Sequence, residues 1–135
     1  VYPSLDAAEI LKTEGISAAV VNARFAKPVD EPLILEIAAK CKKVLVVEEA
    51  SVVGGLASEV ADILCKNVEW KVQFAGLGIP DDFVAHGPRD VLLAEYGLSP
   101  DGIAKAAMRL CKPKGHVKSS RDAVHQAKSA VEGVT

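Results

Sequence analysis

Val44-Leu45-Val46-Val47-Glu48-Glu49-Ala50-Ser51-Val52-Val53-Gly54-Gly55 decides the fold. Four aliphatic residues in a row are too few for a helix, and they lack the polar alternation of a half-exposed strand. They read as a strand covered on both faces, the pattern of a parallel sheet between helices. Past the glycine pair, Leu56, Val60, Ile63 and Leu64 recur at helical spacing. Working upstream, Asp30 is placed to cap a helix whose apolar face is Leu33, Ile34, Ile37, Ala38 and Cys41. Before it, Ala18-Ala19-Val20-Val21-Asn22-Ala23-Arg24-Phe25 reads as a strand ending at Lys27-Pro28. A first helix carries Leu5, Ala8, Ile10 and Leu11, with Ser4 as its cap and Gly15 as its stop. Downstream, a strand near Val72-Gln73-Phe74-Ala75 enters a loop from Gly76 to Pro88. Pro88 suits the first position of a helix running to Tyr96 and ended by Gly97. Ser99-Pro100-Asp101 then starts a last helix through Ile103, Ala106, Ala107 and Leu110. Alternating helices and strands predict an α/β three-layer αβα sandwich with a mostly parallel sheet.

Composition is consistent with one domain. The chain has 135 residues, half of them apolar, which suffices for a single core. Lys and Arg number 11 against 16 Asp and Glu through Leu110, and 5 against 2 from Cys111 onward, so an acidic body is followed by a basic tail. The basic residues of that tail are dispersed and have no aromatics between them, which speaks against a nucleic-acid reader. No apolar run approaches the roughly 20 residues of a membrane span. Cys41, Cys65 and Cys111 are an odd, widely spaced set without metal-ligand spacing, and are expected as reduced, packed thiols.

Three turns carry more detail than such a fold demands: Arg24-Phe25-Ala26-Lys27-Pro28-Val29-Asp30, Glu48 to Gly55, and Gly78-Ile79-Pro80-Asp81-Asp82-Phe83-Val84-Ala85-His86-Gly87. Glu48 and Glu49 invite an acid/base reading at the carboxyl end of a strand. Successive strand residues point to opposite faces, so the two carboxylates are not expected to work as a pair. One of them is expected to accept N–H groups of the turn from Ser51 to Gly55. Gly54-Gly55 before a helix is a weak phosphate signal, because it matches neither dinucleotide nor Walker fingerprints; close packing of the loop is the simpler reading. Asp81 and Asp82 lie within reach of His86, and Phe83 is three residues from it, but no nucleophile accompanies them, leaving a structural hydrogen bond or a subunit contact. Arg24 and Lys27 read as surface or interdomain ion-pair partners.

In order and spacing, these three turns resemble the C-terminal domain of the thiamine-diphosphate-dependent transketolase-type enzymes. Within that group they most resemble the 1-deoxy-D-xylulose-5-phosphate synthases, over about Val1 to Leu110. The resemblance implies a parent enzyme that uses thiamine diphosphate and Mg²⁺, works as a homodimer, and resides in the cytoplasm or a plastid stroma. It also implies that catalytic, cofactor and metal residues lie in the preceding domains, none of them in this chain. Arg24, Lys27, Glu48, Glu49, Gly54, Gly55, Asp81, Phe83 and His86 are then structural or interface residues. Neither nucleic acid nor membrane is an expected partner.

Relatives begin this domain with an apolar strand that has no counterpart before Val1-Tyr2-Pro3, so a piece cut from a longer enzyme is expected. Two units follow: residues 1–110 as the domain, and 111–135 as a basic linker and tail, either a short helix or disordered. Two other readings stay open. One is the last domain of a transketolase or of a 2-oxoacid dehydrogenase β subunit, against which the Pro80-Asp81-Asp82-Phe83 to His86-Gly87 run argues. The other is a free-standing, non-catalytic assembly module on the same fold.

Overall fold

A computed structural model describes residues 1–67, 71–84 and 86–112. Its elements follow the order α1 (Tyr2–Thr13), α2 (Glu31–Cys41), β1 (Lys43–Ser51), α3 (Leu56–Lys66), β2 (Gln73–Ile79), α4 (Arg89–Glu95) and α5 (Pro100–Cys111). Among the described residues β1 and β2 form one sheet, paired in parallel from Lys43 beside Gln73 to Val47 beside Leu77, with an irregularity before Ser51 meets Ile79. A parallel pair needs a crossover, and α3 supplies it.

Side-chain alternation along β1 divides the core in two. Leu45 and Val47, with Leu77 of β2, pack towards Ala7 and Leu11 of α1 and Ile103 and Ala104 of α5. Val44 and Val46, with Phe74, pack towards Ile34 of α2 and Ala57 and Val60 of α3. These are the three layers that the unbroken aliphatic run predicts: helices on each face, sheet between.

Helix starts follow their capping chemistry. The Asp30 carboxylate accepts the Leu33 N–H at 3.1 Å, and the Ser99 hydroxyl accepts the Gly102 N–H at 3.3 Å. Ser4 does not cap α1. That helix begins three residues earlier, at Tyr2, where the Val1 carbonyl accepts the N–H groups of Ser4 and Leu5 and Pro3 fills the opening turn. Gly15 does stop it, at φ +74°. Pro88 is the N-cap of α4 rather than its first residue.

The strand expected at Ala18 to Phe25 does not form. A strand is stabilised by a neighbouring ladder, and among the described residues none lies beside this segment. It is irregular, with Val21 44% and Phe25 66% exposed. The cysteines also depart from expectation: they are free thiols, but Cys41 and Cys65 are exposed and Cys111 is half-buried, because all three sit in the last turns of their helices. Of the tail expected at residues 111–135, Cys111 is the last residue of α5 and Lys112 its C-cap, and 113–135 lie outside the described residues.

Leu11 is 3% exposed between α1 and α5. Leu11→Ala removes buried methyl groups and leaves a cavity, and should lower the free energy of unfolding by about 2–4 kcal/mol in a urea titration. An effect under about 1 kcal/mol would mean that α1 is not packed as described.

Candidate functional site

The carboxyl end of the sheet gathers the singled-out residues, since β1 and β2 run parallel and both loops leave at the same edge. Glu48 points to one side of β1 and is half-buried. Its two carboxylate oxygens accept the first free N–H groups of α3: Leu56 N–H on Oε2 at 2.8 Å and Ala57 N–H on Oε1 at 2.9 Å. A helix start presents unsatisfied donors and partial positive charge, and a carboxylate answers both. Glu48 thus does for α3 what Asp30 does for α2, from a strand instead of the preceding residue.

The glycine pair makes room for this contact. A Cβ on Gly55 would fall on Glu48 Oε2 and 2.8 Å from its Cδ, so only glycine lets the carboxylate reach the helix. Gly54 has φ +76°, the left-handed region that disfavours side chains, and donates its N–H to the Ser58 hydroxyl at 2.9 Å. That hydroxyl in turn donates to the Val52 carbonyl at 3.2 Å. The anion position at the start of α3 is therefore filled by the protein's own carboxylate. This answers the phosphate reading of Gly54-Gly55: the first N–H donors are already used.

Glu49 points the other way, as the strand geometry requires, and holds Arg89 at the start of α4. Arg89 Nε donates to Oε1 at 2.7 Å while Nη2 pairs with Oε2. This two-point bond raises the Arg89 pKa and ties the far end of the 80–88 loop to the strand. Within that loop Asp82 accepts its neighbour's N–H, from Phe83, at 2.7 Å. Phe83 is 102% exposed, Asp81 and His86 are exposed, and among the described residues the His86 side chain has no hydrogen-bond partner. Asp81, Asp82 and His86 lie in bends, and among the described residues no acid-imidazole pair is assembled.

Lys27 reaches Glu59 in the first turn of α3 at 2.9 Å, an exposed ion pair within the domain. The hydrogen bond to Glu59, then its charge, raise the Lys27 pKa. Arg24 is exposed at φ +57°, held by its own N–H on the Asn22 side chain at 3.0 Å. The structure thus joins Lys27, Glu48, Gly54 and Gly55 around the start of α3, and links Glu49 to the 80–88 loop. Arg89 and Glu59 were missed by sequence reasoning. Their partners lie 40 and 32 positions away, and no local pattern marks either pairing.

The transketolase C-terminal domain family matches residues 1–103. The chain belongs to that family. Over 105 residues it is 50% identical to a 1-deoxy-D-xylulose-5-phosphate synthase of Synechococcus sp. (strain JA-2-3B'a(2-13)), covering 78% of this chain and 16% of the relative. Over 110 residues it is 41% identical to the enzyme of that name from Halothermothrix orenii, covering 82% and 17%. Among solved structures, a chain described as a split gene transketolase in an inactive β4 tetramer superposes with a TM-score of 0.74 at 35% identity, covering 81% of this chain and 35% of the other. This chain thus spans about a sixth of the length of its curated relatives.

Glu48→Ala strips α3 of both caps and should cost about 2 kcal/mol in chemical unfolding, with Gly55→Ala at least as damaging. Arg89→Ala, losing an exposed and solvent-screened pair, should leave the unfolding midpoint nearly unchanged. The Lys27 contribution has a defined pH sign. Its folded pKa is above 10.5, so its small stabilisation is complete below pH 10.5 and is lost as pH rises through the raised value. Lys27→Met should remove that part of the alkaline drop in melting temperature. An unchanged alkaline limb would show that the Glu59 pairing does not form in solution.

Proposed function

We propose that the chain is the C-terminal domain of a 1-deoxy-D-xylulose-5-phosphate synthase and that it braces the subunit and its assembly while other domains perform the chemistry. The parent reaction joins pyruvate and D-glyceraldehyde 3-phosphate into 1-deoxy-D-xylulose 5-phosphate with release of CO2, serving isoprenoid, thiamine and pyridoxal synthesis. The observation that carries this reading is the identity of 50% over 105 residues to a curated enzyme of that name, over the same stretch that the domain family matches.

The side chains at the sheet edge agree with a structural role. Thiamine diphosphate with Mg²⁺ needs oxygen donors for the metal and a carboxylate for the aminopyrimidine. Glu48 is committed to two helix N–H groups and Glu49 to Arg89, and among the described residues no group of acids, histidines or cysteines is arranged to hold a metal. The described residues do not fit the cofactor, and no step is assigned to them. What they offer outward is a surface: Phe83, Val84, His86, Val53 and Phe25 are all exposed on turns. An exposed phenylalanine on a turn pinned by Arg89 suits contact with a preceding domain or a second subunit. The structural relative described as a β4 tetramer supports an assembling role. Residues 111–135 are a basic extension of the domain in this reading. No described helix is long and apolar enough to cross a membrane.

The decisive experiment is a chimera in which residues 1–103 replace the matched segment of the Synechococcus enzyme. The chimera should form 1-deoxy-D-xylulose 5-phosphate from pyruvate and D-glyceraldehyde 3-phosphate, and Phe83→Asp within it should lower its assembled mass or its melting temperature. A folded chimera with bound cofactor but no product would refute the synthase reading. The isolated chain should release no CO2 from pyruvate, and release would refute the placement of the chemistry elsewhere.

A further inference from the structure

The two ends of the sheet differ in charge. Lys42 caps α2 and Lys43 opens β1, and the Gln73 N–H at the start of β2 donates to the Lys42 carbonyl at 2.8 Å. α3 leaves the carboxyl end of β1 and returns to the start of β2, so its last residue, Lys66, belongs to the same amino edge. α5 ends there as well: Lys43 Nζ donates to the carbonyl of its last residue, Cys111, at 3.3 Å. Three helix ends and two strand starts thus share one edge.

That edge is basic. Lys42, Lys43, Lys66, Lys71, Arg109 and Lys112 are all exposed on it. Part of this charge has an internal use, because cations suit the partial negative charge of helix C-termini. Lys40 and Lys66 are in addition paired one turn back, with Glu36 and Asp62. Lys43, Lys71, Arg109 and Lys112 form no ion pair with a described acid. The sequence past them adds charge of the same sign, with 5 Lys and Arg against 2 Asp and Glu from Cys111 onward. The opposite edge differs: Glu48 holds the start of α3, Glu49 holds Arg89 and Glu59 holds Lys27. There the acids are answered inside the domain, whereas these four bases of the amino edge meet no acid of their own fold.

We propose that the amino edge of the sheet is a docking surface for an extended, acidic polypeptide segment of a partner. Its charges are spread over the ends of α3 and α5 and the starts of both strands. Several carboxylates along one segment can reach that span, and a single small anion cannot. Helix C-termini present carbonyls instead of N–H groups, so the edge has no cradle for a phosphate. Nucleic acid fits less well, because the exposed aromatics of the described residues, Tyr2, Phe25 and Phe83, lie at the start of α1 and on other turns, away from these charges. A second copy also fits less well, since the carboxylates of its opposite edge, Glu48, Glu49 and Glu59, are already engaged. The inference goes beyond the synthase reading and rests on charge placement alone.

The test titrates ¹⁵N-labelled residues 1–135 with hexaglutamate blocked at both termini, following the amide shifts. Binding should be saturable, should move the amides of Lys43, Lys71, Arg109 and Lys112, and should leave those of Glu48 to Ala57 in place. Raising NaCl from about 50 to about 500 mM should weaken it at least tenfold, since the charges are exposed. Combining Lys71→Gln, Arg109→Gln and Lys112→Gln removes three exposed contacts and should weaken binding about tenfold. Arg24→Gln with Lys27→Gln and Lys12→Gln, an equal loss of net charge placed elsewhere, should change the affinity by less than about twofold. The proposal is overturned if the peptide does not bind, if the shifts fall outside the amino edge, or if the two triple variants lose affinity alike. Tighter binding of an RNA oligonucleotide or of anionic phospholipid vesicles than of hexaglutamate would assign the edge to another partner class and equally overturn it. The same amides shifting with protein concentration, without peptide, would assign it to a second copy with the same consequence. Peptide binding beside an inactive chimera would refute the synthase reading and leave this one standing.

Discussion

The Glu48 carboxylate joins strand β1 to the crossover helix α3. It leaves the end of β1 and accepts both leading N–H groups of α3, so strand and crossover helix are locked at the point where the chain must turn. The rest of the sheet edge is arranged around that bond. Gly55 has no side chain because the carboxylate needs the space, Gly54 takes a left-handed turn to bring the chain round, and Ser58 closes the loop from inside the helix. A charge-assisted bond at a half-buried helix start contributes more than an exposed ion pair, which places Glu48 above the Lys27–Glu59 and Glu49–Arg89 pairs in importance.

The same bond separates two chemical readings of an acidic pair before a glycine pair. A carboxylate with both oxygens engaged by backbone donors is poorly placed as a base, and a helix start that already holds a carboxylate has little to offer a phosphate. Alternation along β1 sends Glu49 away from it, into a bond that secures the 80–88 loop. That loop then holds Phe83 out in solvent.

Much of this was legible in the residues alone. The aliphatic run Val44 to Val47 announced a doubly covered strand, and Asp30, Ser99, Gly15 and Gly97 marked helix ends because caps and left-handed stops are local chemistry. The opposite orientation of Glu48 and Glu49 followed from strand geometry. What failed depended on neighbours. Among the described residues Ala18 to Phe25 has strand composition yet lacks a ladder, the cysteines have the preferences of buried residues yet occupy the last turns of helices, and Asp81, Phe83 and His86 have the spacing of a cluster without its conformation. Arg89 and Glu59 were invisible for the same reason, since their partnerships exist only once the chain is folded.

The account stands on the claim that the sheet-edge turns are structural and hold no cofactor. The most direct test is a two-dimensional ¹H–¹⁵N NMR titration of residues 1–135 with thiamine diphosphate and Mg²⁺. The amides of Glu48 to Ala57 and of Asp81 to Arg89 should stay unshifted at saturating cofactor. Saturable shifts in either turn would contradict the account by making this edge part of a cofactor site.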